Sequence, residues 1–208
     1  MTHEAPSSRE TYLAAARPLI ELVAEHGVHV HKIVELRRYG ARCKPFVGAL
    51  VAELERTTSR ELLEELASVL GAPWARDEAM EPLLARFRST SNSPPSTKAA
   101  LAQALEFLAD DDVATEFIEL ARDRRHGNAR QALVAGLGKL DAPEVADVLV
   151  ELLDDPGVGG HALAALAKVV ERSRELVDDA LVKPFLRDGR PWVRREAKDF
   201  LHLLHRLK

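Results

Sequence analysis

Cys43 is the single cysteine in 208 residues, so a disulfide within one chain is excluded and the composition fits a reducing compartment. Aromatic residues make up only 5% of the chain, which leaves little of the material that strands prefer. No apolar run approaches the roughly 20 residues that a bilayer-spanning helix takes. The opening Met1-Thr2-His3-Glu4-Ala5-Pro6-Ser7-Ser8 lacks the basic start and apolar stretch of a secretory signal. The expectation is a cytoplasmic protein with no membrane partner. A basic excess is also missing, because the formal net charge is −4 and general nucleic-acid binders usually carry a positive surplus. There is no phosphate loop and no Gly-x-Ser-x-Gly elbow, and no recognisable nucleophile motif surrounds Cys43. No catalytic residue, metal ligand set or cofactor is nominated on these grounds.

What is present is helix-forming material. Apolar residues, many of them Ala and Leu, reach 46%, and charged residues of both signs reach 30%, the balance expected of amphipathic helices. Four segments superpose without gaps: Thr97–Leu105, Ala129–Leu137, Val158–Leu166 and Val193–Leu201. Their closing leucines, Leu105, Leu137, Leu166 and Leu201, lie 32, 29 and 35 residues apart, a period typical of a helical solenoid. A second amphipathic helix follows each of the first three, over 113–120, 145–152 and 180–186, with Pro184 as a local violation inside the last. Upstream, the periodicity predicts helices over 9–25, 31–38 (ending at Gly40) and 44–56. A fourth is capped by Thr58 or Ser59 with the stripe Leu62, Leu66, Val69 and Leu70, and a fifth follows Asp77 with Met80, Leu83, Leu84 and Phe87 inward. The expected organisation is a tail over 1–8 and one solenoid domain over 9–208, with 89–96 as a loop within it.

Leu152-Leu153-Asp154-Asp155, a turn, and then Val193-Arg194, Ala197 and Leu201 resemble the HEAT and HEAT-like repeat, as does Leu133-Val134-Ala135-Gly136-Leu137-Gly138-Lys139-Leu140. The resemblance is clear over 97–206. It implies an all-α, right-handed α-solenoid of HEAT-like helical hairpins, about six helix pairs in the whole chain. It implies a scaffold that binds a protein or peptide along the concave face lined by the Val-Arg helices, and it brings no enzymatic activity. Small residues at Ala104, Gly136 and Ala165 share one repeat position and predict close helix approach; Phe200 breaks the series.

Within that frame the outward stripe Gln103, Gln131, Lys139, Lys168, Arg195 and Asp199 is the candidate partner-binding surface. Lys139 and Lys168 occupy one repeat position and predict a ridge, set against a simple solvated face. Lys98, Arg130 and Arg194 share another position and predict a structural ladder onto Asp123, Asp155 and Asp188, since a partly buried charge needs a partner. The run Arg122–Arg130 offers Arg124, Arg125, His126 and Arg130 as a possible anion site at a helix start, against the reading of a solvated corner. His29 with His31, and His202 with His205, are pairs without a third ligand and are poor grounds for zinc.

Two HEAT-like families are enzymes. The iron hydroxylases use His-Glu pairs, but Ala99-Ala100, Gln131-Ala132, Gly160-His161 and Arg195-Glu196 stand at the matching places. The DNA glycosylases need a basic groove with aromatics. Residues 183–208 carry eight basic and three acidic side chains, and Trp74 and Trp192 are the only tryptophans. Nucleic-acid binding through this basic end is the alternative reading. Residues 141–182 carry ten acidic and three basic side chains, an asymmetry able to steer a partner.

Overall fold

The computed structural model describes residues 8–90 and 94–208. Most of the expected tail (1–7) and the middle of the 89–96 loop (91–93) lie outside the described residues. The chain divides into two compact units, Met1–Leu108 and Ala109–Lys208. Among the described residues there is no strand, and the expected all-α class of stacked helices holds in each unit.

The first unit runs through α1 (Ser8–Glu25), a 3-10 helix (Ile33–Phe46), α2 (Val47–Arg56), α3 (Arg60–Leu70), α4 (Arg76–Ser89) and α5 (Pro95–Leu108). Helix α3 is its centre, packed against α1, the 3-10 helix, α2 and α5. The Ser59 hydroxyl accepts from the Leu62 amide at 3.4 Å and starts α3, satisfying one amide that the helix cannot. The stripe Leu62, Leu66, Val69 and Leu70 is fully buried, as its periodicity predicts. The helix expected over 31–38 is instead the first part of the 3-10 helix, which bends at Gly40 with φ at 55°, a left-handed conformation that glycine adopts without a Cβ penalty.

A buried carboxylate fixes that 3-10 helix. Glu65 on α3 accepts from the Tyr12 hydroxyl at 2.8 Å and from the Val34 amide at 3.1 Å. The carboxylate thus sits where the 3-10 helix exposes its first amides. Burial, then the bond to Glu65, push the Tyr12 phenol well above its ordinary value.

The second unit contains α6 (Ala114–Arg122), α7 (Arg130–Leu137), α8 (Val145–Leu152), α9 (Gly159–Ser173), α10 (Asp179–Val182) and α11 (Pro191–Leu207). Helices α7, α9 and α11 pack side by side in one layer, and α6 packs on α8 in the other; α6 lies against α7, and α8 against α9. Pro184 does not sit inside a helix. Helix α10 ends at Val182, and a 3-10 helix, Lys183–Arg187, begins with the proline in its first turn, where no donor is needed.

The small-residue positions account for the close spacing. A Cβ on Gly138 would lie 2.9 Å from Ala165 Cα, and one on Gly136 would lie 2.7 Å from the Phe117 ring. The first unit repeats the device, since a Cβ on Gly71 would lie 2.7 Å from Ala104 Cα. Phe200, where the small series breaks, is buried and fills its place in α11.

Candidate functional site

Arginines clamp the helix ends that shape the second unit. Arg130 Nε donates to the carbonyl of Ala121 at 2.6 Å, at the end of α6. Arg172, near the end of α9, donates to the carbonyls of Gly138 and Leu140, each at 2.7 Å, just past α7, and to Asp141 at 2.9 Å. Arg194 donates to the carbonyls of Asp188 and Gly189 at 2.7 and 3.0 Å. In the first unit Arg86 does the same for Thr57 at 2.8 Å and Arg76 for Leu108 at 3.2 Å. The last carbonyls of a helix have no partner within it, and a guanidinium also favours that negative end.

The aspartates at the corners are mostly spent locally. Asp123 accepts from the Arg125 amide at 3.0 Å and from its guanidinium at 2.7 Å. Asp188 accepts from the Arg190 amide at 2.8 Å and its guanidinium at 2.9 Å. Each carboxyl is held down at about 2, chiefly by the side-chain bond from that arginine. Of the expected ladder, Arg130–Asp155 forms as a buried pair at 3.0 Å. Burial raises the Asp155 carboxyl, but the Gly157 amide, Arg130 and Arg124 outweigh it and hold it below its ordinary value. Arg194 bonds backbone carbonyls in place of the expected carboxylate, and Lys98 stands over the Phe87 ring at 5.1 Å.

This geometry places the four residues of the possible anion site. Arg125 is bound to Asp123, Arg124 lies 3.3 Å from Asp155, His126 lies 3.6 Å from Asp123, and Arg130 is buried. All three guanidiniums lie against Asp123 or Asp155, which fits a braced corner. Among the described residues no cluster of His, Cys, Asp or Glu is placed to hold a metal ion.

The outward stripe is divided by the structure. Gln131 is half-buried and donates to the Gly157 carbonyl at 3.1 Å. Lys139 lies in the turn after α7, whereas Lys168 is on the solvent side of α9, so the two share a repeat position without sharing a helical face. The physical reason is that α7 ends at Leu137 while α9 runs on past the equivalent Leu166 to Ser173, about two turns further. Gln103 lines a shallow pocket of about 130 Å³ in the first unit with Arg37, Ser68 and the half-exposed Phe107. Arg195 is exposed on α11.

Lys168 and Asp199 meet at one groove of about 230 Å³ between α9 and α11. Its floor is Ala164, Ala167, Phe200 and Leu203, and its rim is Lys168, Glu171, Glu196, Asp199 and Arg206. None of these five charged side chains is held in an ion pair or side-chain hydrogen bond among the described residues. The contrast with the neighbouring arginines is sharp, since Arg130, Arg172, Arg190 and Arg194 are all bound. Glu171, Glu196 and Arg206 escape sequence reasoning, because only the packing of α9 beside α11 puts them on one rim. A larger pocket of about 490 Å³ beside Leu140–Pro143 has its Arg172 and Asp141 already bound to each other.

Trp192 packs against His161 with ring centroids 5.0 Å apart and planes tilted by 58°, and Arg190 lies 5.7 Å over its ring. Trp74 is half-buried in a 3-10 turn, Pro73–Ala75. In the basic end, Arg190, Arg194 and Lys208 are held by Asp188, by carbonyls and by Asp179. No helix among the described residues is long and apolar enough to cross a membrane.

The family model for HEAT repeats matches residues 114–201. No curated protein and no solved structure matches the chain.

Proposed function

We propose, from the premise that residues 114–201 are HEAT repeats, that this chain is a non-enzymatic adaptor whose second unit takes a protein or peptide segment in the α9–α11 groove. HEAT repeats are generally protein-interaction scaffolds. The observation that carries the reading is the groove's combination of an apolar floor with five charged rim side chains that are in no ion pair or side-chain hydrogen bond among the described residues. In the same unit Arg130, Arg172, Arg190 and Arg194 are consumed in holding helix ends and corners. Rim charges of this kind set register and partner choice more than raw affinity, and an apolar floor supplies the anchor. Lys168 and Asp199 are the members of the outward stripe on this groove. Arg195, Lys139, Gln131 and Gln103 do not line it.

A peptide-display library panned on the protein tests this. Groove-dependent peptides should enrich on the wild type and be lost on Ala164→Trp, which fills the floor, and on Lys168→Trp, an exposed change that leaves packing alone. Circular dichroism confirms that both variants are folded. Enrichment indifferent to both variants, or no enrichment, overturns the reading.

A further inference from the structure

We infer that the segment taken by the α9–α11 groove enters through a basic side chain, an arginine or lysine, laid along the floor with its charged head among Glu171, Glu196 and Asp199. This rests on the groove reading and names the partner's chemistry.

The floor is shaped for a stem. Ala164 and Ala167 project little, and Phe200 and Leu203 are buried beneath the surface they form with them, so the channel is shallow and apolar. A long, flexible aliphatic chain with a charged end suits such a channel, because Lys and Arg bury their methylenes on apolar surface while keeping the head at the polar edge. The rim then selects the sign of that head. It has three carboxylates against two cations, and none of the three carboxylates is held in an ion pair among the described residues. Glu196 and Asp199 stand three residues apart on α11, the spacing that puts two side chains on one face. Arg195 and Lys198, which would oppose a cation, are on the same helix but do not line the groove. Helix α11 therefore turns two carboxylates and one cation, Arg206, to the groove although the segment containing it is basic overall.

On the α9 side the surrounding sequence has the same sign. Residues 141–182 carry ten acidic and three basic side chains, and of those three Arg172 is bound to Asp141 and two carbonyls. An acidic excess on that side of the groove favours cationic partners in diffusional encounter.

Two labelled peptides decide the matter, one alternating leucine with arginine and the other alternating leucine with glutamate, titrated against the full chain by fluorescence anisotropy. The arginine peptide should bind with an affinity that falls as salt rises. Glu196→Gln with Asp199→Asn should weaken it by about fivefold or more, Lys168→Gln should tighten it, and the glutamate peptide should not bind. Arginine-peptide binding untouched by the double change overturns the inference, since the attraction would then come from other acidic surface. Preference for the glutamate peptide, abolished by Ala164→Trp or Lys168→Trp, overturns the basic anchor and leaves the groove reading standing. Binding of neither peptide overturns the basic anchor, and if the display library also yields no groove-dependent peptide the groove reading falls with it.

Discussion

Arg130 and Asp155, 25 residues apart in sequence, form a buried ion pair with Nη1 3.0 Å from Oδ2. The same guanidinium donates to the Ala121 carbonyl, and the other Asp155 oxygen accepts from the Gly157 amide at 2.9 Å. One pair thus ties the end of α6, the start of α7 and the turn before α9. Replacing Arg130 by Met leaves Asp155 buried without its partner, which costs about 3–5 kcal/mol. Urea unfolding of Arg130→Met checks this, and a loss below about 1 kcal/mol would show that the pair is not the tie described.

Gly138 and Ala165 set the spacing of α7 and α9. An added Cβ on Gly138 would sit 2.9 Å from a backbone atom, and backbone cannot swing aside as a side-chain tip can. Gly138→Ala should cost roughly 1–3 kcal/mol by overpacking. Leu137→Ala, one residue earlier and fully buried, should cost roughly 2–5 kcal/mol by cavity formation. Thermal and urea denaturation of the two variants measure both.

Arg172 closes α7 from a distance of more than thirty residues. Losing its bonds to the Gly138 and Leu140 carbonyls in Arg172→Met removes charged hydrogen bonds of roughly 1.5–3 kcal/mol each at most. Amide exchange should accelerate in 138–143 more than in α11. Equal acceleration throughout would mean that the clamp acts globally.

Acid should weaken the second unit in two stages. Burial and then the Arg190 guanidinium push His161 below its ordinary imidazole value of 6.5. The unfolded chain therefore binds this proton more readily, and stability that is full above 6.5 declines as pH falls towards the lowered value. Asp123 and Asp188, held at about 2, lose their contribution later, between their ordinary 3.8 and about 2. Both side chains are half-buried but their arginine partners are more exposed, so the second loss is screened and modest. His161→Phe, which keeps a ring against Trp192, should flatten the upper stage in a pH series of urea midpoints. An unchanged slope would remove His161 as its source.

Much of this was legible in the chain. The α8 span 145–152 follows directly from its periodicity, and the Ser59 cap from its residue type. The inward pairing of Arg130 with Asp155 was legible from the repeat position. The capture of Asp123 and Asp188 by Arg125 and Arg190 had a local signal, Asp-x-Arg, in which one short carboxylate reaches both the amide and the guanidinium two residues on. The ladder expectation passed over it because it compared positions between repeats. Glu65 had no such signal, since its partners Tyr12 and Val34 lie 53 and 31 residues away.

By itself the sequence determined the helices, their buried stripes and their repeat, because these depend on spacing of apolar side chains along one segment and on caps within a few residues. Only the tertiary structure decided which charges are spent and which are left over. That outcome turns on distances between helices far apart in the chain: Arg172 reaches the end of α7 and is consumed, whereas Lys168, one turn earlier on the same helix, meets Asp199 across an open groove and is not.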